Sequence, residues 1–349
     1  MQPARYDAVL VLGFGGPESR DEVLPFLDRV TAGKGVPRER LEEVAEHYYA
    51  LGGTSPINAQ NRALAEALER SLHERKIDLP VRLASRHSAP YLTDVLRELR
   101  DGGASRVLAV ITSAFSSFSG CRQYLEAIEA ARAELGDEAP LVDKARAYFN
   151  HPLFLDAVAE RVADALGSVD EHEGKARLVF TAHSIPLAMA NTCAYVAQLE
   201  DACGRVAERL GRSEWQLVFQ SRSGPPHVPW LEPDIETHLR ALAQIGKRQV
   251  VICPIGFHSD HVEVLWDLDH QARALAESLG IVMVRAGTVG THPKFVAALS
   301  EIVEERLGLR ELKRAEGAIP ALPDRCAEGC CRYEPTSVAG RSTEAPPQG

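Results

Sequence analysis

Runs of β-branched and aliphatic residues alternate along this chain with stretches whose apolar positions recur every three or four residues. A short continuous apolar run fits a strand covered on both faces, and the three-to-four spacing fits a helix with one buried stripe. In the first half the strand-like runs are Tyr6–Leu12, Val81–Ala84 and Arg106–Thr112, with a further short strand before His151. In the second half they are Leu178–Ala182, Gln216–Gln220, Gln249–Pro254 and Ile281–Arg285. Helical patterns fall between them: near Ser19–Glu22, over Glu39–Leu51, Asn58–Glu74 and Tyr91–Arg100, from Cys121 to Leu135, and last over His292–Leu309. This alternation implies parallel sheets flanked by helices. A chain of 349 residues exceeds the usual size of a single core. The predicted class is therefore α/β, with two Rossmann-like domains at 1–145 and 146–310, a cleft between them, and a Pro-, Gly- and Glu-rich tail at 311–349.

The breaks between elements carry the candidate chemistry. The first strand runs into Gly13-Phe14-Gly15-Gly16-Pro17. It lacks the third glycine of a dinucleotide fingerprint, but its glycines suit close backbone approach to a flat ligand. The run ending at Cys253-Pro254 turns abruptly into His258-Ser259-Asp260-His261-Val262-Glu263. Ser259 and Asp260 are N-cap candidates for a helix reaching Leu279. On that helix Asp260, Glu263, Asp267 and His270, at i, i+3, i+7 and i+10, would share one face. Such a row would repel itself unless protons or a cation shared it, which suggests a cation path. Acids in a first turn also complement the helix dipole, a reading of Asp260 that involves no chemistry. His183 closes the strand Leu178–Ala182 and would emerge at the same sheet edge. With Glu263 it makes an N/O pair for a divalent transition metal, or a base facing the acidic row.

Composition narrows the class. With 45% hydrophobic and 25% charged residues the chain is an ordinary globular one. A formal net charge of -10 with no basic block argues against nucleic-acid binding. With no apolar stretch near 20 residues and no signal-peptide pattern at the N-terminus, the expected location is cytoplasmic, with membrane contact at most peripheral. Seven cysteines, an odd number, do not form the disulfide framework of a small secreted domain. Cys193, Cys203 and Cys253 read as ordinary helix or strand residues, whereas Cys326, Cys330 and Cys331 gather in the tail. His261-Val262-Glu263 has the H-x-E form of zinc deaminases, but the downstream P-C-x-x-C is missing.

Five segments in order carry a resemblance: Leu12–Glu18, Gly52–Ile57, Phe180–Pro186, Gln220–Pro225 with Pro229-Trp230-Leu231, and Pro254–Asp267. Through them the chain resembles the ferrochelatases, which insert ferrous iron into a porphyrin in haem biosynthesis. The resemblance implies that His183 and Glu263 are the catalytic pair, and that with Asp267 they handle the substrate iron. It places Phe14, Gly15, Arg86, His87, Tyr195 and Trp230 along the porphyrin cleft. Some members hold a [2Fe-2S] cluster, and the matching thiols here are Cys121, Cys326, Cys330 and Cys331, although adjacent Cys330-Cys331 departs from the wider family spacing. The implied partners are a porphyrin and its haem product, on a monomer or homodimer. The residues leave open protoporphyrin IX against coproporphyrin III. They also leave open a non-catalytic tetrapyrrole carrier, or a chelatase for cobalt or nickel, on the same fold.

Overall fold

The computed structural model describes residues 5–170, 175–224 and 227–333. Eight strands form two sheets: β1 (Ala8–Gly13), β2 (Val81–Ser85), β3 (Arg106–Ile111) and β4 (Leu141–Lys144) in the first, β5 (Arg177–His183), β6 (Trp215–Gln220), β7 (Gln249–Cys253) and β8 (Val282–Arg285) in the second. Their orders are β2-β1-β3-β4 and β6-β5-β7-β8, the same topology twice, and neighbours run parallel.

Strand period sorts the side chains into layers. Ala8, Leu10 and Leu12 pack with Leu96, Tyr124 and Ile128 on one face of the first sheet, while Val9 and Val11 enter a larger cluster on the other. That larger cluster also takes Leu178, Phe180 and Ala182 from β5, so the inner faces of the two sheets share one continuous core. Helices Ile57–Glu74, Pro152–Leu166 and Pro293–Arg306 fill the space between, through Leu64, Phe154 and Phe295. Each Leu or Phe buried there contributes roughly 1.5–3 kcal/mol. Helices Val23–Thr31 and Arg38–Ala50 stand apart, with a small cluster of their own around Phe26 and Leu41 that Phe14 joins.

The tail is ordered through Tyr333, further than its composition suggests. Buried Asn150 donates to the Ile319 carbonyl and accepts from Glu316 N–H, and Asp201 accepts from Ala318 N–H. Arg146, whose side chain is fully buried, pairs with Glu305 and donates to the Arg314 carbonyl. Backbone groups of a polar segment find partners here that no hydrophobic pattern would announce. Pro225 of the fourth resembling segment and tail residues 334–349 lie outside the described residues.

Candidate active site

The carboxyl ends of β1 and β5 carry the two sides of the site. Beyond β1, Gly13 O accepts from Arg86 N–H and Phe14 O from His87 N–H, which extends the β1–β2 pairing into the loop. Gly15 has φ +91°, and a Cβ there would lie 2.3 Å from Ser88 Oγ, so only glycine fits. The Phe14 ring lies against the His87 imidazole, centroids 4.6 Å apart. Burial, then the charges of Arg86, Lys34 and Arg29, depress the His87 pKa to about 3, and the ring is neutral. Arg86 sits over the rings of Tyr124 and Phe14, with Nε and Nη1 buried and without a hydrogen-bond partner among the described residues.

His183 is the last residue of β5, in register with Gln220 of β6. Its Nδ1 faces the Ser184 carbonyl, which fixes the ring and turns Nε2 toward Glu263 Oε2, 3.6 Å away. Burial opposes charging the ring, but Glu263, the Ser184 carbonyl and Asp267 together raise its pKa above the ordinary value. The same partnership outweighs burial at Glu263 and lowers its pKa to about 2. Asp267 behaves differently. Burial and the neighbouring Glu263 raise its pKa to about 6, against hydrogen bonds from Ser221 and Gln220. Three linked groups thus hold protons of graded strength.

The acidic row is shorter than its spacing implies. His261, not Ser259 or Asp260, is the N-cap: its Nδ1 accepts from Glu263 N–H and the helix opens at Val262. Residues Leu265–Ala272 then form a π-helix, whose widened turn shifts the angular phase of everything downstream. Asp260, which lies ahead of the helix, and Asp269 both pair with Arg285, and His270 stacks on Trp266, with His47 stacked on the other face of the indole. Of the four residues assigned to one face, Glu263 and Asp267 reach His183.

The other expected residues divide. Tyr195 is buried and donates its hydroxyl to the His183 carbonyl. Trp230 bridges to Pro186 just after His183, with its Nε1 buried and without a partner among the described residues. Cys121 lies in a π-helical turn, Phe118–Arg122, and is buried, as is Cys331, while Cys326 and Cys330 are exposed. Cys330 and Cys331 sulfurs are 3.6 Å apart, and the Cys326 thiol interacts with those of Cys121 and Cys330. Among the described residues no group of three or more His, Cys, Asp or Glu is placed to hold a metal ion.

Several contributors were not singled out from the pattern. Tyr48 packs on Phe26, which packs edge-on against Phe14, and its pKa is raised by burial and then by Glu263. This aromatic chain links the Phe14 loop to the carboxylate. Gln220 and Ser221 stand within a resembling segment, and that position was the available signal for their contact with Asp267.

The ferrochelatase family model matches residues 6–307. A ferrochelatase of Rhodopirellula baltica is 48% identical over 344 residues, covering 97% of this chain and 98% of that protein. A coproporphyrin III ferrochelatase of Mycolicibacterium smegmatis is 47% identical over 319 residues, covering 90% and 94%. Among solved structures, SirB from Bacillus subtilis aligns with a TM-score of 0.53 at 14% identity over 87% of this chain and 96% of that one, a likeness of fold.

Proposed function

The chain belongs to the ferrochelatase family, and from that premise we propose that its porphyrin is coproporphyrin III and that His183, Glu263 and Asp267 carry the chemistry. The reaction itself is insertion of ferrous iron into a porphyrin with loss of two protons, a step of haem biosynthesis. Coproporphyrin III carries two propionates where protoporphyrin IX carries vinyls, so its reader needs extra cations at the rim. The observation that supports this choice is the Arg86 guanidinium beside Phe14, whose Nε and Nη1 are buried without partners among the described residues, with Lys34 close enough to feel its charge. Buried guanidinium nitrogens without partners are costly unless a carboxylate arrives to meet them. Several of the similar proteins are named coproporphyrin III ferrochelatases, including that of Streptomyces coelicolor.

In this reading His183 takes the pyrrole protons. Its Nδ1 is occupied by the Ser184 carbonyl, so Nε2 is the nitrogen that receives them, and Glu263 stabilises the imidazolium that results. Asp267, with a pKa of about 6, accepts a proton from the pair and gives it up near neutral pH. One imidazole and one carboxylate bind ferrous iron weakly, which suits a cargo that must pass into the ring. Phe14 and the loop held at Gly15 form the wall against which the macrocycle rests.

The test is anaerobic turnover with ferrous iron and each porphyrin in turn, followed by loss of free-porphyrin fluorescence. Coproporphyrin III should be the better substrate, and Arg86→Leu should narrow the preference. Equal use of both, or a preference for protoporphyrin IX, would sink the assignment.

We further propose that Cys121, Cys326, Cys330 and Cys331 hold a [2Fe-2S] cluster. What supports this reading is the chemistry of the donors: all four are thiols, two of them buried, and the Cys326 pKa is raised by the Cys121 thiol first and then by burial. When bound, such a cluster supplies one-electron chemistry and ties the tail to the Cys121 turn. For the domains we propose boundaries at 145/146 and 310/311, supported by the end of β4 at Lys144 and of the last helix at Arg306.

A further inference from the structure

We propose that the first turns of helix Ile57–Glu74 set the spacing between the two sides of the cleft, with Asn58, Gln60 and Asn61 as positioning residues. The proposal rests on the site assignment above. Asn58 and Asn61 are 1% and 0% exposed, which is unusual for amides; Asn58 is fully engaged, whereas Asn61 uses its Oδ1 and leaves its buried Nδ2 without a hydrogen-bond partner among the described residues. Asn58 grips the porphyrin side: its Oδ1 accepts from Gly16 N–H, and its Nδ2 donates to Gly16 O at 2.8 Å and to Ser88 Oγ at 3.2 Å. Gln60 grips the metal side, because its Oε1 accepts from Asp260 N–H at 2.9 Å, three residues before Glu263.

Asn61 touches both. Its Oδ1 is 2.8 Å from His258 Nε2, and its Nδ2 lies where a Cβ on Gly13 would be 2.6 Å away. His258 is anchored in turn, since its carbonyl accepts from Gly290 N–H, and burial followed by the charge of His261 keeps the ring neutral with a pKa of about 3. The Gly13–Gly16 loop and the His258–Asp260 segment are about 245 residues apart in sequence, yet they are braced by side chains within one turn of one helix. Residues at i and i+3 share a helix face, so Asn58 and Asn61 project together while Gln60 reaches round to the metal side. A rigid turn with three neutral amides controls distance without adding charge beside the iron path.

The test is a split in kinetic constants. Gln60→Met keeps length but removes the acceptor, and Gln60 is partly exposed, so the variant does not depend on remaking a buried site. It should raise KM for ferrous iron about fivefold, the loss of one ordinary hydrogen bond, and leave porphyrin affinity, read by fluorescence without iron, within about twofold. Asn58→Ala should do the reverse. Asn61→Leu should lower kcat and weaken both. Equal effects of Gln60→Met and Asn58→Ala on both substrates, or a lowered Tm with unchanged kinetics, would overturn the proposal. An unaltered protein that binds porphyrin but inserts no iron would instead overturn the site assignment beneath it.

Discussion

Replacing Glu263 by Gln keeps the shape of the side chain and removes the charge that faces His183. At 3.6 Å two unit charges attract by about 1 kcal/mol at the permittivity of water and by about 5 kcal/mol at an effective permittivity near 20. The Glu263 side chain is 48% exposed, so the lower end applies, about 1–2 kcal/mol, or roughly one pKa unit. The native ring is raised above 6.5 because its partners outweigh burial. With the carboxylate gone, burial prevails and the pKa should drop by about one unit or more, readable as the Cε1 proton shift in an NMR titration. The stability linkage follows. The His183 contribution is full below the unfolded pKa near 6.5 and fades as pH rises through the raised folded value. The Glu263 contribution is full above about 4.5 and fades as pH falls toward about 2. E263Q should therefore lose stability mainly between those limits, where the native pair is charged. Turnover should drop about 10-fold, the rate equivalent of the roughly 1–2 kcal/mol by which Glu263 stabilises the His183 imidazolium. A His183 titration unchanged in E263Q would refute the coupling, whatever the activity did.

Two further outcomes test other parts of the molecule. His151 is buried and held neutral, its pKa lowered to about 3 by burial and then by Arg146, Arg314 and Arg310, which together outweigh Glu301 at 3.3 Å. The unfolded chain binds that proton near 6.5 and the native one does not, so stability should fall with pH below about 6.5 at up to about 1.4 kcal/mol per pH unit for this group. His151→Gln should flatten the slope of urea unfolding against pH by about one proton, and an unchanged slope would refute the assignment. For the thiols, anaerobically purified protein should be brown, and Cys121→Ser should abolish its visible absorption and acid-labile sulfide; a colourless native protein free of iron would remove the cluster.

What the sequence by itself determined is local. Strand and helix periods, the glycines after β1 and the His183 strand end follow from backbone sterics and from which faces are apolar, and both repeat with short range. The ordered motifs also pointed to His183, Glu263 and Asp267 before any coordinates. The tertiary structure decided what depends on angular phase and on distant partners. The π-helix at Leu265–Ala272 turned His270 out of the acidic row, because a widened turn leaves no mark in a pattern of polar residues, and the helix start at Val262 left Asp260 ahead of the first turn. The hydrogen bond from the Tyr195 hydroxyl to the His183 carbonyl also appears only in the fold. Asn58, Gln60 and Asn61 looked like polar residues of an amphipathic helix, and only the approach of Gly16, Asp260 and His258 gave them partners. A hydrogen bond across some 200 residues has no local signature, because each half is an ordinary amide or imidazole until the fold brings it to the other.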